Sequence, residues 1–341
     1  MFQPLLNKVV DLKHLSREES REAMSLIMSG EVPASQLASF LTAMKIKGET
    51  VEEITGFALT MREKSLKVQV PNHNLIDTCG TGGDGGRTFN ISTASAFVAA
   101  AGGARVAKHG NRAVSSKSGS ADVLEQLDIS IQLGEAEAKT CLEMTNLCFM
   151  FAPFYHQAMK HAVATRKEIG FRTVFNLLGP LTNPAQADRQ LMGIYDASLA
   201  EKVAQVLREL GLVKALIVAG EDGLDEISIS APTKVVELNE GDIKSYTLTP
   251  EELGLSRYPI SQISGGNATE NAVVIQRIFS GQKGADRDIV LANSAASLYL
   301  ADRVSSLQEG VKAAREIIDQ GLAIEKLQQV AKVTRGMSHV G

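Results

Sequence analysis

The chain has 341 residues, 44% of them hydrophobic and 22% charged, with a formal net charge of −4. This is the composition of a globular protein with one large domain or two ordinary ones, without the basic footprint of a nucleic-acid binder. No apolar run reaches the length of a bilayer span, and the start Met1-Phe2-Gln3-Pro4 lacks the regions of a signal peptide. Three cysteines, Cys79, Cys141 and Cys148, show no metal-ligand spacing, so reduced thiols and a cytoplasmic location are expected, with no membrane or nucleic-acid partner.

Residues 1 to about 65 read as helical. Ser16-Arg17-Glu18-Glu19 is a capping box ahead of Ala23, Met24, Ile27 and Met28, and Gly30 stops that run. Pro33 opens a second amphipathic stretch with Leu37, Phe40, Leu41 and Met44 on one face. Thr50-Val51-Glu52-Glu53 caps a third, carrying Ile54, Phe57, Ala58 and Met61. Three short helices bury little alone, so they should pack on the larger domain or on a second subunit.

From about residue 74, strands alternate with helices, the sign of a mostly parallel sheet. Strands are predicted over 75–79, 105–108, 148–151, 190–195 and 215–219. Helices lie between them at 93–101, 120–127, 135–144, 154–167 and 198–210. Residues 233–238 and 242–248 read as an antiparallel pair, and the tail from 267 as helical. The segment 170–183 is rich in turn formers and reads as a crossover or hinge.

Five glycines fall between Gly80 and Gly86, after an apolar strand end and before a helix. Such a loop presents backbone N–H groups without obstructing side chains, and the helix dipole adds to its pull on anions. Gly80, Gly82 and Gly85 fit G-x-G-x-x-G, but the helix opens only after Asn90. The second strand ends in Lys108-His109-Gly110-Asn111-Arg112 rather than in an acid for a ribose diol. A cation there suits phosphate. No Gly-Lys-Ser/Thr of a Walker loop follows either. Beyond the carboxyl ends of the strands, where open parallel sheets bind ligands, the chain offers three loops. They are the glycine nest, the hydroxyl-rich Lys108–120 segment, and the acidic Glu221-Asp222-Gly223-Leu224-Asp225-Glu226. Carboxylates facing phosphates need a divalent cation between them, and Asp225 with Glu226 is the natural pair for Mg²⁺, with Ser92 a possible hydroxyl ligand. His109 alone reads as a packed histidine, and Arg166 alone as a surface cation. His156 and His161, five apart, do not share a helix face.

The strings DTCGTGGDG, FNIST and KHGNRAVSSKSGSADVLE, together with the Arg166 region, NLLGPLTNP and GEDGLDE, resemble those of the anthranilate phosphoribosyltransferase family. The resemblance spans nearly the whole chain. It implies an α/β fold: a small all-helical domain plus a larger α/β domain with a central, mostly parallel sheet flanked by helices. The expected division is 1–70 for the helical domain, with a return segment near 165–185, and 71–341 for the α/β domain. The site would lie in the cleft between the two, in a homodimer joined through the helical domains.

The resemblance further implies that phosphoribosyl pyrophosphate is held by Gly80, Gly83, Asp84, Thr88, Asn90, Ile91, Ser92 and Thr93. Lys108, His109, Gly110, Asn111, Arg112, Ala113, Val114, Ser115, Ser116 and Ser120 would complete that set. Anthranilate would be placed by Gly80, Asn111 and Arg166. Magnesium, two ions per chain, would be held by Ser92, Asp225 and Glu226. The reaction implied is attack of the anthranilate amine on C1 of the ribose with loss of pyrophosphate, with no acid or base residue assigned. Two alternatives are weighed against it. A pyrimidine nucleoside phosphorylase on the same fold would not need the acidic pair. A non-enzymatic nucleic-acid-binding relative is disfavoured by the net charge.

Overall fold

The computed structural model describes residues 1–71, 73–83, 87–113 and 117–337. Four helices come first: α1 (Phe2–Val10), α2 (Arg17–Ser29), α3 (Ala34–Lys47) and α4 (Val51–Lys64). Local chemistry sets their ends. Ser16 Oγ accepts from the Glu19 amide while the Glu19 carboxylate accepts from the Ser16 amide, and Thr50 with Glu53 does the same at α4. Gly30 closes α2 in the left-handed region, φ 79°. One helix more than the three expected is present: α1 carries Pro4 in its first turn, where no intrahelical amide bond is lost.

The alternating part begins with β1 (Leu75–Asp77), α5 (Ile91–Ala101), β2 (Arg105–Gly110), α6 (Ser120–Gln126), α7 (Glu135–Thr145) and β3 (Leu147–Phe151). It continues with α8 (Ala152–Tyr155), α9 (Lys160–Ile169), α10 (Val174–Leu178), β4 (Arg189–Gly193), α11 (Ala200–Glu209) and β5 (Lys214–Gly220). The pair β6 (Thr233–Asn239) and β7 (Asp242–Leu248) follows, then α12 (Ala268–Phe279), α13 (Ala285–Leu300), α14 (Leu307–Asp319) and α15 (Leu322–Met337). No helix among the described residues is long and apolar enough to cross a membrane.

Two expectations are corrected. The single helix read over 154–167 is broken at His156 (φ −113°, ψ 56°), whose Nε2 is tied to the Thr182 carbonyl at 2.9 Å. The hinge read over 170–183 contains α10.

One sheet has the order β3-β2-β1-β4-β5-β6-β7. Its first five strands are parallel, while β6 runs against β5 and β7 against β6. Successive side chains feed two cores. Leu191, Leu216 and Val218 join the cluster of α5 and α12–α15, whereas Met192, Ala215 and Ile217 join the cluster of α1–α4, α10 and α11. The protein is thus a helical N-terminal bundle plus a larger α/β part with a mostly parallel seven-stranded sheet between helices. The bundle is extended by later residues: α9 packs on α2 and α3, and α10 on α3 and α4.

Strand order reverses beside β1. The chain leaves β1 toward β2 on one side, while β4 leads to β5 on the other. A crevice therefore opens beyond the carboxyl ends of β1 and β4, where doubly wound sheets receive ligands.

Candidate active site

The loop after β1 lies against the end of β4. The Thr81 amide donates to the Gly193 carbonyl (2.9 Å), and the Tyr195 amide donates to Thr81 Oγ1 (3.0 Å). Three backbone segments are stacked here without room for side chains. A Cβ on Gly80 would come within 2.9 Å of the Gly193 carbonyl oxygen, and a Cβ on Gly193 would overlap the carbonyl of Asp225. The acidic loop after β5 is thereby brought to the glycine loop, and Gly80, Gly83, Asp225 and Glu226 line one cavity of about 610 Å³.

The N-terminus of α5 opens onto the same cavity through Asn90, Ser92 and Thr93. Asn90 does not cap the helix with its side chain. Its amide instead donates to the Ser118 carbonyl (3.3 Å) and accepts from Asn271 (3.0 Å), which leaves the first turn uncapped toward an incoming anion. The Thr93 hydroxyl is buried and has no partner among the described residues. An anion would satisfy it.

Strand β2 sends Lys108 and His109 to opposite faces. The buried Lys108 ammonium donates to the Thr78 carbonyl (2.9 Å), Thr78 Oγ1 (3.2 Å) and Ser92 Oγ (3.1 Å). Burial pushes it down from its ordinary value, against the opposing pull of Asp77 and Glu226. His109 Nδ1 bonds the Gly179 carbonyl (3.1 Å), and its ring packs on His156 at 5.2 Å. Burial first, then His156, hold His109 at about 3, so it is neutral at pH 7. Behind it, Asp77 Oδ1 accepts from the His109 amide (3.1 Å), and burial raises that carboxyl to about 6. Asp77, Cys79 and His109 also place potential metal-ligand atoms within 4.8 Å of one another. His109 Nδ1 and Asp77 Oδ1 are engaged, while Asp77 Oδ2 and His109 Nε2 have no hydrogen-bond partner among the described residues; burial pushes the Cys79 thiol up, which disfavours the thiolate a metal would need.

Arg166 of α9 supplies the opposite wall. Its guanidinium lies 5.0 Å from the centroid of the Phe175 ring, and among the described residues its side chain has no hydrogen bond or carboxylate partner. Burial lowers its pKa. Met159, Val163 and Phe175 bring apolar side chains to the cavity here, and Asn111, just after β2, lines it as well. The cavity thus joins an anion-seeking set of backbone amides to a wall where Arg166 stands among apolar side chains.

Of the other residues singled out from sequence, Gly110, Arg112, Ala113 and Ser120 also line the cavity. The Arg112 charge is already taken up by Glu125 (2.6 Å) and Asp122 (3.0 Å). Ile91 is buried in the α5 core, and Thr88 bridges Ser264 through its backbone, so neither is a lining residue. Asp84, Val114, Ser115 and Ser116 lie outside the described residues. Sequence reasoning passed over Arg172 and Asn176, which line the cavity from the link into α10. An isolated Arg or Asn in a turn-rich stretch carries no signal of its own.

The donor set suits a hard cation. Ser92 Oγ accepts one bond from Lys108 and keeps a lone pair, and Asp225 and Glu226 add carboxylate oxygens on the same cavity. All-oxygen ligands beside an anion nest fit Mg²⁺.

Residues 72–324 match the model of the glycosyl transferase family a/b domain, and residues 3–65 that family's helical bundle domain. The chain is 55% identical to an anthranilate phosphoribosyltransferase of Brevibacillus brevis over 339 residues, 99% of each chain. It is 52% identical to one of Petrotoga mobilis over 338 residues, covering 99% of this chain and 98% of that one. The crystal structure of anthranilate phosphoribosyltransferase from Thermus thermophilus superposes with a TM-score of 0.92 at 41% identity, covering 97% of this chain and 99% of that one. The Saccharomyces cerevisiae enzyme in complex with PRPP and Mg superposes with a TM-score of 0.90 at 28% identity, over 98% of both chains. With the stacked glycine loops, the acidic pair and the Arg166 wall in one crevice, these likenesses place the chain in the anthranilate phosphoribosyltransferase family.

Proposed function

We propose that this protein transfers the 5-phosphoribosyl group of phosphoribosyl pyrophosphate to the amine of anthranilate, releasing pyrophosphate, in tryptophan biosynthesis. The observation that carries this reading is the two-sided cavity: an anion nest and a carboxylate pair on one side, and on the other an apolar wall with Arg166, which has no carboxylate partner among the described residues. The amides of Gly80, Gly82 and Gly83 and of the α5 N-terminus hold the pyrophosphate and 5-phosphate groups, while that of Thr81 is taken by the Gly193 carbonyl. Arg166 grips the anthranilate carboxylate, Asn111 and Gly80 flank its amine, and Phe175 lies beside the ring.

Breaking the bond to pyrophosphate leaves positive charge on the ribose, as in glycoside chemistry. The protein's tasks are to hold the leaving group and to aim the nucleophile. Magnesium held by Ser92, Asp225 and Glu226 supplies charge neutralisation on the leaving pyrophosphate when bound. Two ions per chain are proposed. Lys108, with its protons directed at Thr78 and Ser92, contributes its field and orients the Ser92 hydroxyl. An aromatic amine is unprotonated at neutral pH, and His109, held at about 3 by burial, carries no imidazolium proton and is too weak a base to draw one from the amine, so no general acid or base is assigned.

The remaining donor-site assignments, Asp84, Thr88, Val114, Ser115 and Ser116 among them, rest on the sequence resemblance. The same holds for the division at residues 1–70 and 71–341, and a cytoplasmic location is proposed from the cysteine pattern. A homodimer through the helical bundle is also proposed. Val10, Leu12 and Ile46 are exposed large apolar side chains near the ends of α1 and α3, and Lys47 joins those ends through His14 (3.0 Å). The decisive experiment follows anthranilate fluorescence with purified protein, donor and Mg²⁺, each component omitted in turn. Consumption that needs all three is expected, and none with all three present refutes the reading.

A further inference from the structure

The glycine loop is gripped from a second direction. Arg172 sits in the short link between α9 and α10, just after Gly170 ends α9 in the left-handed region (φ 69°). Its Nη2 donates to the Gly83 carbonyl at 3.1 Å, and its guanidinium lies 4.4 Å from the centroid of the Tyr195 ring. Tyr195 in turn donates its amide to Thr81 Oγ1, and a Cβ on Gly83 would overlap that of Tyr195. Residues 81 and 83 are therefore held both by the end of β4 and by a cation reaching across from the acceptor wall. Among the described residues Arg172 makes no ion pair, so its charge is not consumed by a neighbouring carboxylate.

A glycine peptide beside an anion can present either its N–H or its carbonyl oxygen, and the oxygen repels phosphate. A charged donor on that oxygen occupies it and offsets its negative end. We propose that Arg172 is a positioning residue for the phosphoribosyl donor: it locks the Gly83 carbonyl so that the loop presents amides to the pyrophosphate. Arg166, six residues earlier on the same segment, serves the acceptor. One stretch of chain thus sets both substrates. This inference rests on the functional reading above.

The test compares wild type, Arg172→Gln and Arg172→Lys in steady-state anthranilate consumption at saturating Mg²⁺. Hydrogen bonds to charged groups contribute enough for Arg172→Gln to raise the donor KM about tenfold or more, with the anthranilate KM within about twofold of wild type. Arg172→Lys, which keeps a charge but not the planar fork over Tyr195, falls between. If Arg172→Gln does not fold, as judged by thermal melting, Arg172→Lys is read alone, and the same asymmetry at smaller size is expected. An unmoved donor KM, or equal rises in both KM values, overturns the inference and leaves the functional reading standing. Wild-type protein that consumes no anthranilate with the donor overturns both.

Discussion

Arg166→Ala isolates the acceptor wall. The guanidinium is partly buried, rests on Phe175 and has no described carboxylate to satisfy it, so its removal leaves no orphaned partner in the free protein. The loss falls on the substrate carboxylate alone. Hydrogen bonds to charged groups contribute roughly 1.5–3 kcal/mol net, and each 1.4 kcal/mol is about tenfold. The KM for anthranilate should therefore rise roughly 10- to 150-fold. The donor half, built from Gly80–Gly83, Ser92 and the acidic loop, lies on the other side of the cavity, so the donor KM should stay within about twofold. Arg166→Lys, keeping the charge without the two-pronged geometry, should lie between. Initial rates by anthranilate fluorescence, with each substrate varied at fixed excess of the other, measure both constants. Equal effects on the two constants would refute the assignment of Arg166 to the acceptor.

Three further outcomes are expected. Asp225→Asn combined with Glu226→Gln should lower kcat by at least tenfold and shift the Mg²⁺ activation curve to higher concentration; a wild-type metal titration in the double variant removes the pair from the site. His156 is held near 4 by burial, below its ordinary value, so the unfolded chain takes up a proton that the folded chain refuses between about pH 6.5 and 4. Its contribution is complete above that window and is lost as pH falls, at up to about 1.4 kcal/mol per pH unit. Urea unfolding of wild type and His156→Gln should therefore show a stability difference that declines from pH 6.5 to 4.5, and a pH-independent difference contradicts this. Ile46→Glu, at a site 72% exposed in the single chain, should yield a monomer in sedimentation equilibrium; an unchanged mass moves the proposed interface elsewhere.

What could be read from the sequence follows how local the determining physics is. Ser16, Thr50 and Gly30 announce helix ends because capping needs only neighbours in the chain, and all three act as expected. The strands were legible because apolar runs bounded by turn formers leave few alternatives, although β1 and β4 each stop two residues short of their predicted ends and β2 extends two residues beyond its own, which places His109 on the face opposite Lys108. The break at His156 was not legible. Its cause is the Thr182 carbonyl, 26 residues away, and no local pattern marks it. Likewise α10 was hidden by its flanks, since Gly170 and Gly179 read as turn formers while the helix between them is secured by Phe175 and Leu178 in the bundle core. At the site, the glycine loop and the acidic pair stood out by composition. Arg172 did not, because its role depends on a carbonyl 89 residues distant.

Gly193 bears most on how such a site can change. Its bare α-carbon lets the backbone of the donor loop and that of the acidic loop close on the end of β4 from two directions, so any side chain there would force the acidic loop away. A shift in the pairing of β4 would displace both together and leave a chain with neither half of its donor site. Variation in what this scaffold accepts is accordingly channelled to the apolar wall, where side chains rather than main chain meet the ligand.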